Sequence, residues 1–186
     1  MKNVKLLCYL ILGVLFYTSC TEQVDFEQAK DLSIQPVLTA SLVTFSASPL
    51  QYAQPGVIQN ASVIDTVRLD VIGEDFYKDN VIRTELTFNI VNNIEADFNL
   101  NFRFTDDEFA DQYEFDIPIP EGSLANPAIV DYTEVFEGAD LDRFTSSKII
   151  ILTATIINSS GTQFDATTTS EFNLKSKATA FFDFDL

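Results

Sequence analysis

Phe98-Asn99-Leu100-Asn101-Phe102-Arg103-Phe104-Thr105, followed after a short charged turn by Tyr113-Glu114-Phe115-Asp116-Ile117-Pro118-Ile119-Pro120, decides the fold class. In the first run a large apolar side chain stands at every second position with a polar one between, which is the period of a half-buried strand. The second run keeps the same period until its prolines. Between them lie Asp106 to Gln112, few and charged, so the two runs are expected to pair as an antiparallel hairpin with one face on a core. Pro118 and Pro120 have no N–H to give to a ladder, which puts the end of the second strand at an edge or leaving its sheet.

Outward from this hairpin the same alternation recurs. From Val37 onward the dominant period is two; it is plain at Val63, Val67, Leu69 and Val71, at Leu86, Phe88 and Ile90, and from Phe172 and Leu174 through Ala178, Ala180, Phe182 and Phe184 to Leu186. That last run is too long for one ordinary strand, and a bend or bulge is expected near Ser176. Ile149-Ile150-Ile151-Leu152 has no polar face and reads as a central strand covered on both sides, with a turn after it at Asn158-Ser159-Ser160-Gly161. Only Ala139 to Phe144 reads as helical, a turn or two with an acidic start. Short strands with turns between them predict a single immunoglobulin-like antiparallel β-sandwich of about seven to nine strands.

Composition agrees with one all-β domain. Hydrophobic residues make up 46% of the 186, and 17 of them are phenylalanine, so the chain can build a core although it carries 28 acidic against 11 basic residues. A formal charge of −17 with no basic cluster excludes nucleic acid as a partner, because phosphate must be neutralised by Lys or Arg. The chain has no His and no Trp. Imidazole-dependent nucleophilic catalysis is therefore absent, as are zinc sites built on histidine. A carboxylate pair for glycoside hydrolysis is chemically available, but nothing in the spacing singles one out. The chain is read as non-enzymatic, with no cofactor.

The first residues have a different character. Met1 to Lys5 contains two lysines; Leu6 to Tyr17 is almost wholly apolar; Thr18-Ser19-Cys20 closes the stretch. This is the order of an export signal: a basic start, an apolar run, a small-residue cleavage site. About a dozen residues in a helix reach only about 18 Å, short of a hydrocarbon core about 30 Å thick.

Thr18, Ser19 and the cysteine after them resemble the lipobox of bacterial lipoproteins, in the looser form typical of Bacteroidota, with Tyr17 where the stricter pattern has an aliphatic. The resemblance implies that Cys20 takes the lipid, that residues 1–19 are removed, and that residues 20–36 are an acidic tether to a domain over 37–186. It also implies that Cys8 leaves with the signal and that no thiol remains for a disulfide. Two or three acyl chains would hold the protein firmly at the membrane. Thr21, which is not Asp, is similar to what outer-membrane sorting allows. Glu22, Asp25 and Glu27 loosely resemble a surface-export signal, so periplasmic and cell-surface exposure both stay open.

Four further features are candidates. Asp106, Asp107, Glu108 and Asp111 crowd one turn and offer hard oxygen ligands for calcium, although the spacing lacks a recognised calcium frame and a solvated turn that discourages edge pairing is the plainer reading. Thr66, in Asp65-Thr66-Val67, resembles an O-glycosylation acceptor of exported Bacteroidota proteins. The sequons at Asn60 and Asn158 read as turns. Phe181 falls opposite the core-facing Phe182 and Phe184 and is the candidate partner contact.

Two functional readings follow from these residues. One is a lipid-anchored interaction or accessory subunit of an outer-membrane β-barrel assembly, export or uptake complex, with an outer-membrane protein as partner. The alternative is a surface glycan-binding or adhesion module, in which Tyr52, Tyr77, Tyr113 or Tyr132 would have to serve as the aromatic platform; no clustering of these four is visible in the sequence.

Overall fold

The computed structural model describes residues 33–48, 62–72, 74–159 and 170–185. The chain divides into two compact units, residues 1–33 with 185–186, and residues 34–184, and the second carries the fold. Its long strands are β2 (Val37–Ala47), β3 (Ser62–Arg68), β4 (Val81–Asn92), β5 (Ala96–Thr105), β6 (Asp111–Ile119), β7 (Ala128–Phe136), β8 (Ile149–Ser159) and β9 (Phe172–Phe182). Two-residue strands, β1 (Ser33–Ile34) and β10 (Phe184–Asp185), stand at the ends of the described chain. Helices α1 (Asp75–Asn80) and α2 (Gly138–Ser146) lie in the connections.

The long strands form two four-stranded antiparallel sheets, β2-β9-β4-β7 and β3-β8-β5-β6. The all-β sandwich expected from the alternation is the architecture observed. Within that class the connectivity is distinctive: apart from the β5–β6 hairpin, each long strand crosses to the other sheet before the next begins. The resulting order is that of a jelly roll, in place of the immunoglobulin order in which neighbours along the chain more often share a sheet. Alternation names the strands and their inner faces; it carries no information on which strands become neighbours.

The expected hairpin is formed, with Phe98 opposite Ile119, Leu100 opposite Ile117, Phe102 opposite Phe115 and Phe104 opposite Tyr113. β6 is an edge strand, as its prolines require. Rings from the two inner faces interlock. Phe88 of β4 meets Phe102 of β5 at 4.6 Å between centroids, and Phe98 meets Phe172 of β9 at 5.1 Å. Leu141 and Phe144 of α2 are buried, and Phe144 stacks on Phe136 at 4.4 Å. Each fully buried phenylalanine contributes about 1.5–3 kcal/mol. Asn92 sits fully buried among these rings because its side chain is saturated: Nδ2 donates to Ala96 O (2.9 Å) and Pro120 O (2.8 Å), and Oδ1 accepts from Ile94 N (2.9 Å).

Several sequence expectations are corrected. The irregularity near Ser176 is real but belongs to the neighbouring strand. β9 runs unbroken past Ser176, while β2 bulges between Ser41 and Thr44. Leu42 and Val43 together oppose Ser176, whose Oγ accepts from the Val43 N–H (2.9 Å) and donates to the Val43 carbonyl (3.1 Å). The bulge reverses the parity of β2, so Leu38 and Ala40 face inward before it and Phe45 and Ala47 after it. β8 is central in its sheet, yet only one of its faces is covered along most of its length, since Leu152, Ala154 and Ile156 are buried whereas Ile157 is 55% exposed. Val71 is not a strand residue but lies in a turn, exposed. Asn158 and Ser159 continue β8, and residues 160 and 161 are outside the described residues. α1 was not expected, having one buried residue, Tyr77, and no helical period. Nor was β7, where inward Glu134 and outward Ile129 and Val135 blur the alternation.

Candidate functional site

The inward residues of β9 read Phe172, Leu174, Ser176, Ala178, Ala180, Phe182, so the side chains shrink and then grow again. Across the β2 ladder, Phe45 faces Leu174 and Ala47 faces Phe172 at one end, but Ala40 faces Ala178 and Leu38 faces Ala180 at the other. Phenylalanines fill the sandwich at the first end; alanines leave it open at the second. Between the edge strands β2 and β3 the result is a cleft of about 720 Å³, inside the range of about 300–1,000 Å³ usual for ligand sites.

Its walls are almost entirely apolar. β2 and β9 supply Leu38, Ala40, Leu42, Ala178, Ala180 and Phe182; Val67 and Leu69 face them from the end of β3 and the residue after it. Val71, Ile72, Phe76 and Tyr77 complete the apolar lining. Tyr77 is buried, packs edge-on against Phe182 at 5.5 Å, and shares a hydrogen bond with Thr84 Oγ1 (2.7 Å). Burial pushes its hydroxyl pKa up, and the Thr84 bond partly opposes that. Leu38, Val71 and Phe76 line the cleft yet are 59%, 71% and 63% exposed, so large apolar side chains crowd its mouth. The polar rim is Arg68, Asp70 and Glu74, and the guanidinium is already engaged, with Nε 3.5 Å from Asp70 and Nη2 2.9 Å from Asp107. A largely apolar volume with a few polar groups at its rim suits binding.

The residues singled out by sequence fall elsewhere. Cys20, the leader, the tether, Tyr52 and Asn60 lie outside the described residues. The acidic turn does not converge on a point. Asp106 spends Oδ1 on the Glu108 and Ala110 N–H groups, both at 2.9 Å; Asp107 pairs with Arg68; Asp111 pairs with Arg103 at 3.4 Å. Among the described residues no group of His, Cys, Asp and Glu is placed to hold a metal ion. Thr66 is exposed on β3, beside Asp65, whose Oδ1 accepts from the Thr66 N–H (2.8 Å). Phe181 does lie on the outer face, half-buried, with the Arg83 guanidinium 5.3 Å over its ring.

Two of the four tyrosines are brought together, which the sequence did not reveal. Tyr113 on β6 and Tyr132 on β7 meet at the opposite edge of the sandwich, and both hydroxyls donate to the Glu134 carboxylate. Burial, then the bond to Glu134 and its charge, push Tyr132 up to about 12 and Tyr113 upward as well. The rings pack on Phe115 and Phe136. The cleft itself was missed because its signal is a negative one, alanines in an otherwise bulky inward row.

No family model and no curated protein matches the chain. Solved structures resemble it in outline. The infectious bursal disease virus VP2 subviral particle is 13% identical over 78% of this chain and 33% of that chain, with a TM-score of 0.46. A protein of Parabacteroides distasonis described as secreted is 10% identical over 65% of this chain and 38% of its own, at a TM-score of 0.45. Desmodium yellow mottle tymovirus is 8% identical, covering 81% of this chain and 90% of that one, with a TM-score of 0.34. The chain spans about a third of the length of the first of these.

Among the described residues, no helix is long and apolar enough to cross a membrane.

Proposed function

We propose that this protein is an outer-membrane lipoprotein, anchored through Cys20, that acts as a non-catalytic interaction subunit of an outer-membrane protein complex. The observation that carries the binding half of this reading is the apolar cleft between β2 and β3, with Leu38, Val71 and Phe76 exposed around it. Exposed apolar side chains gathered around a concave site are costly in water unless something covers them. The anchoring half rests on the signal sequence and Cys20. The second reading, surface glycan binding, draws support from the pairing of Tyr113 with Tyr132. It is weaker, because both hydroxyls are committed to Glu134 and the rings to neighbouring phenylalanines.

The test is to purify the full-length protein from outer membranes in mild detergent and identify what accompanies it. A single outer-membrane protein in near-equal amount is the expected result; recovery of the protein alone would overturn the subunit reading. Cys20→Ser should shift the protein from the membrane to the soluble fraction, and unchanged membrane retention would remove the anchor from the proposal.

A further inference from the structure

Each sheet of the sandwich has two edges, and three of the four are defended against pairing. β3 carries Asp65 and Arg68; β6 carries Asp111, Glu114, Asp116 and Pro118; β7 carries Asp131 and Glu134. Charges and prolines of this kind discourage a second chain from adding to an edge. β2 has neither. Val37-Leu38-Thr39-Ala40-Ser41-Leu42-Val43-Thr44-Phe45-Ser46-Ala47 is eleven residues without a charge or a proline, in a chain of net charge −17. β9 pairs with one side of it, and among the described residues no strand pairs with the other. Residues 37–41 are exposed.

This open edge is one lip of the cleft. A strand added to it would lie about 4.8 Å beyond β2, extending that sheet over the mouth toward β3. Because side chains alternate, every second residue of the added strand would point into the apolar volume beside Leu38 and Ala40. The β2 bulge at Leu42 and Val43 interrupts the ladder, which limits pairing to residues 37–41, about 17 Å of extended chain. The rim sets the charge of the guest. Glu74 lines the mouth and Asp75 follows, while Arg68 is shared between Asp70 and Asp107, so the rim stays net acidic and a basic residue is matched where the guest leaves the cleft. A second copy of this chain brings an uncharged β2 and another acidic rim, and fits poorly.

We propose that β2 accepts an additional strand from the partner protein: an extended segment, aliphatic at alternate positions, ending in basic residues, held by backbone hydrogen bonds along 37–41. The proposal rests on the interaction-subunit reading and specifies its mode. The probe is a synthetic peptide of about ten residues that alternates valine and threonine and ends in two lysines. Controls are the same peptide N-methylated at alternate amides, and one ending in two glutamates. The expected result with the full-length protein in detergent is saturable binding that slows amide exchange within 37–41 by about tenfold or more, with no slowing on β3, β6 or β7. N-methylation, the glutamate ending, and the Leu38→Lys variant should each weaken binding by about tenfold or more, which is about 1.4 kcal/mol. Leu38 is exposed, so that variant should keep its circular dichroism and thermal midpoint. The proposal fails if no probe slows exchange on β2, if N-methylation has no effect, or if the protein occupies the edge by self-association. Should Leu38→Lys still recover the membrane partner in full, strand addition is wrong while the subunit reading stands; should the peptide bind as expected and wild-type membranes yield no partner, the reverse holds.

Discussion

Asn92 shows how a polar residue can be fully buried at the end of a core strand, opposite Phe172. Its side chain pairs with three backbone groups, the Ala96 and Pro120 carbonyls and the Ile94 N–H. Nearby, Gly122 donates its N–H to Ile94 O, and a Cβ there would lie 1.9 Å from the Asn92 carbonyl oxygen, so only glycine fits. Asn92→Leu keeps the branching and removes the three hydrogen bonds; a loss of about 3 kcal/mol in denaturant unfolding is expected. The tyrosine pair makes a prediction in pH. Tyr132 is raised from 10.0 to about 12 in the fold. Its contribution is therefore intact below pH 10 and is lost as the pH climbs from about 10 through about 12, because the unfolded chain releases its proton first. Tyr113 acts in the same direction. Stability measured across this window should fall less steeply in Tyr113→Phe/Tyr132→Phe than in the wild type; equal slopes would show that burial and the Glu134 contacts do not hold the protons. The residue scale is also where the sequence was partly readable: Ser176, a polar residue in an inward row, marked the place of an irregularity, but only the fold shows that the extra residue belongs to β2.

At the scale of elements, the β5–β6 hairpin was legible as an antiparallel pair, because both strands alternate and the turn between them is short. β7 and α1 were not. Their inner faces are one side chain short of a pattern: Glu134 replaces an apolar residue in β7, and α1 is anchored by Tyr77 alone. The hairpin turn, read from composition as an acidic cluster, is organised instead by Asp106, whose carboxylate caps two N–H groups and lets the chain reverse. That reversal places Phe109 at φ 64°, a left-handed conformation that is costly for a bulky side chain. Its ring is 62% exposed and contributes little packing. Phe109→Asn should stabilise the protein by about 0.5–1 kcal/mol, read as a higher denaturation midpoint with an unchanged denaturant slope. A loss instead would mean the ring is held by contacts worth more than the strain.

For the molecule as a whole, the sandwich class followed from the strands, and the jelly-roll order did not, since the pairing of residues as distant as Val37 and Phe181 leaves no local trace. The cleft shares this origin: it exists because two runs remote in sequence both place alanine at one end of the same sheet. β9 lies between β2 and β4 and pairs with both. Removing everything after Ser170 should therefore abolish cooperative thermal unfolding; a truncated chain that still melts in one sharp transition would contradict the order of this sheet. The same central position governs how the protein is made. The first sheet cannot close until the last strand has been synthesised, and its ladders bridge most of the chain, so folding is expected to be slow and to begin late. A nascent chain with this wiring lacks the strand that joins β2 to β4 until residues 172–182 have emerged. If the chain is exported as proposed above, the first sheet would stay open until that segment has crossed, while the second sheet, which does not use β9, is under no such constraint.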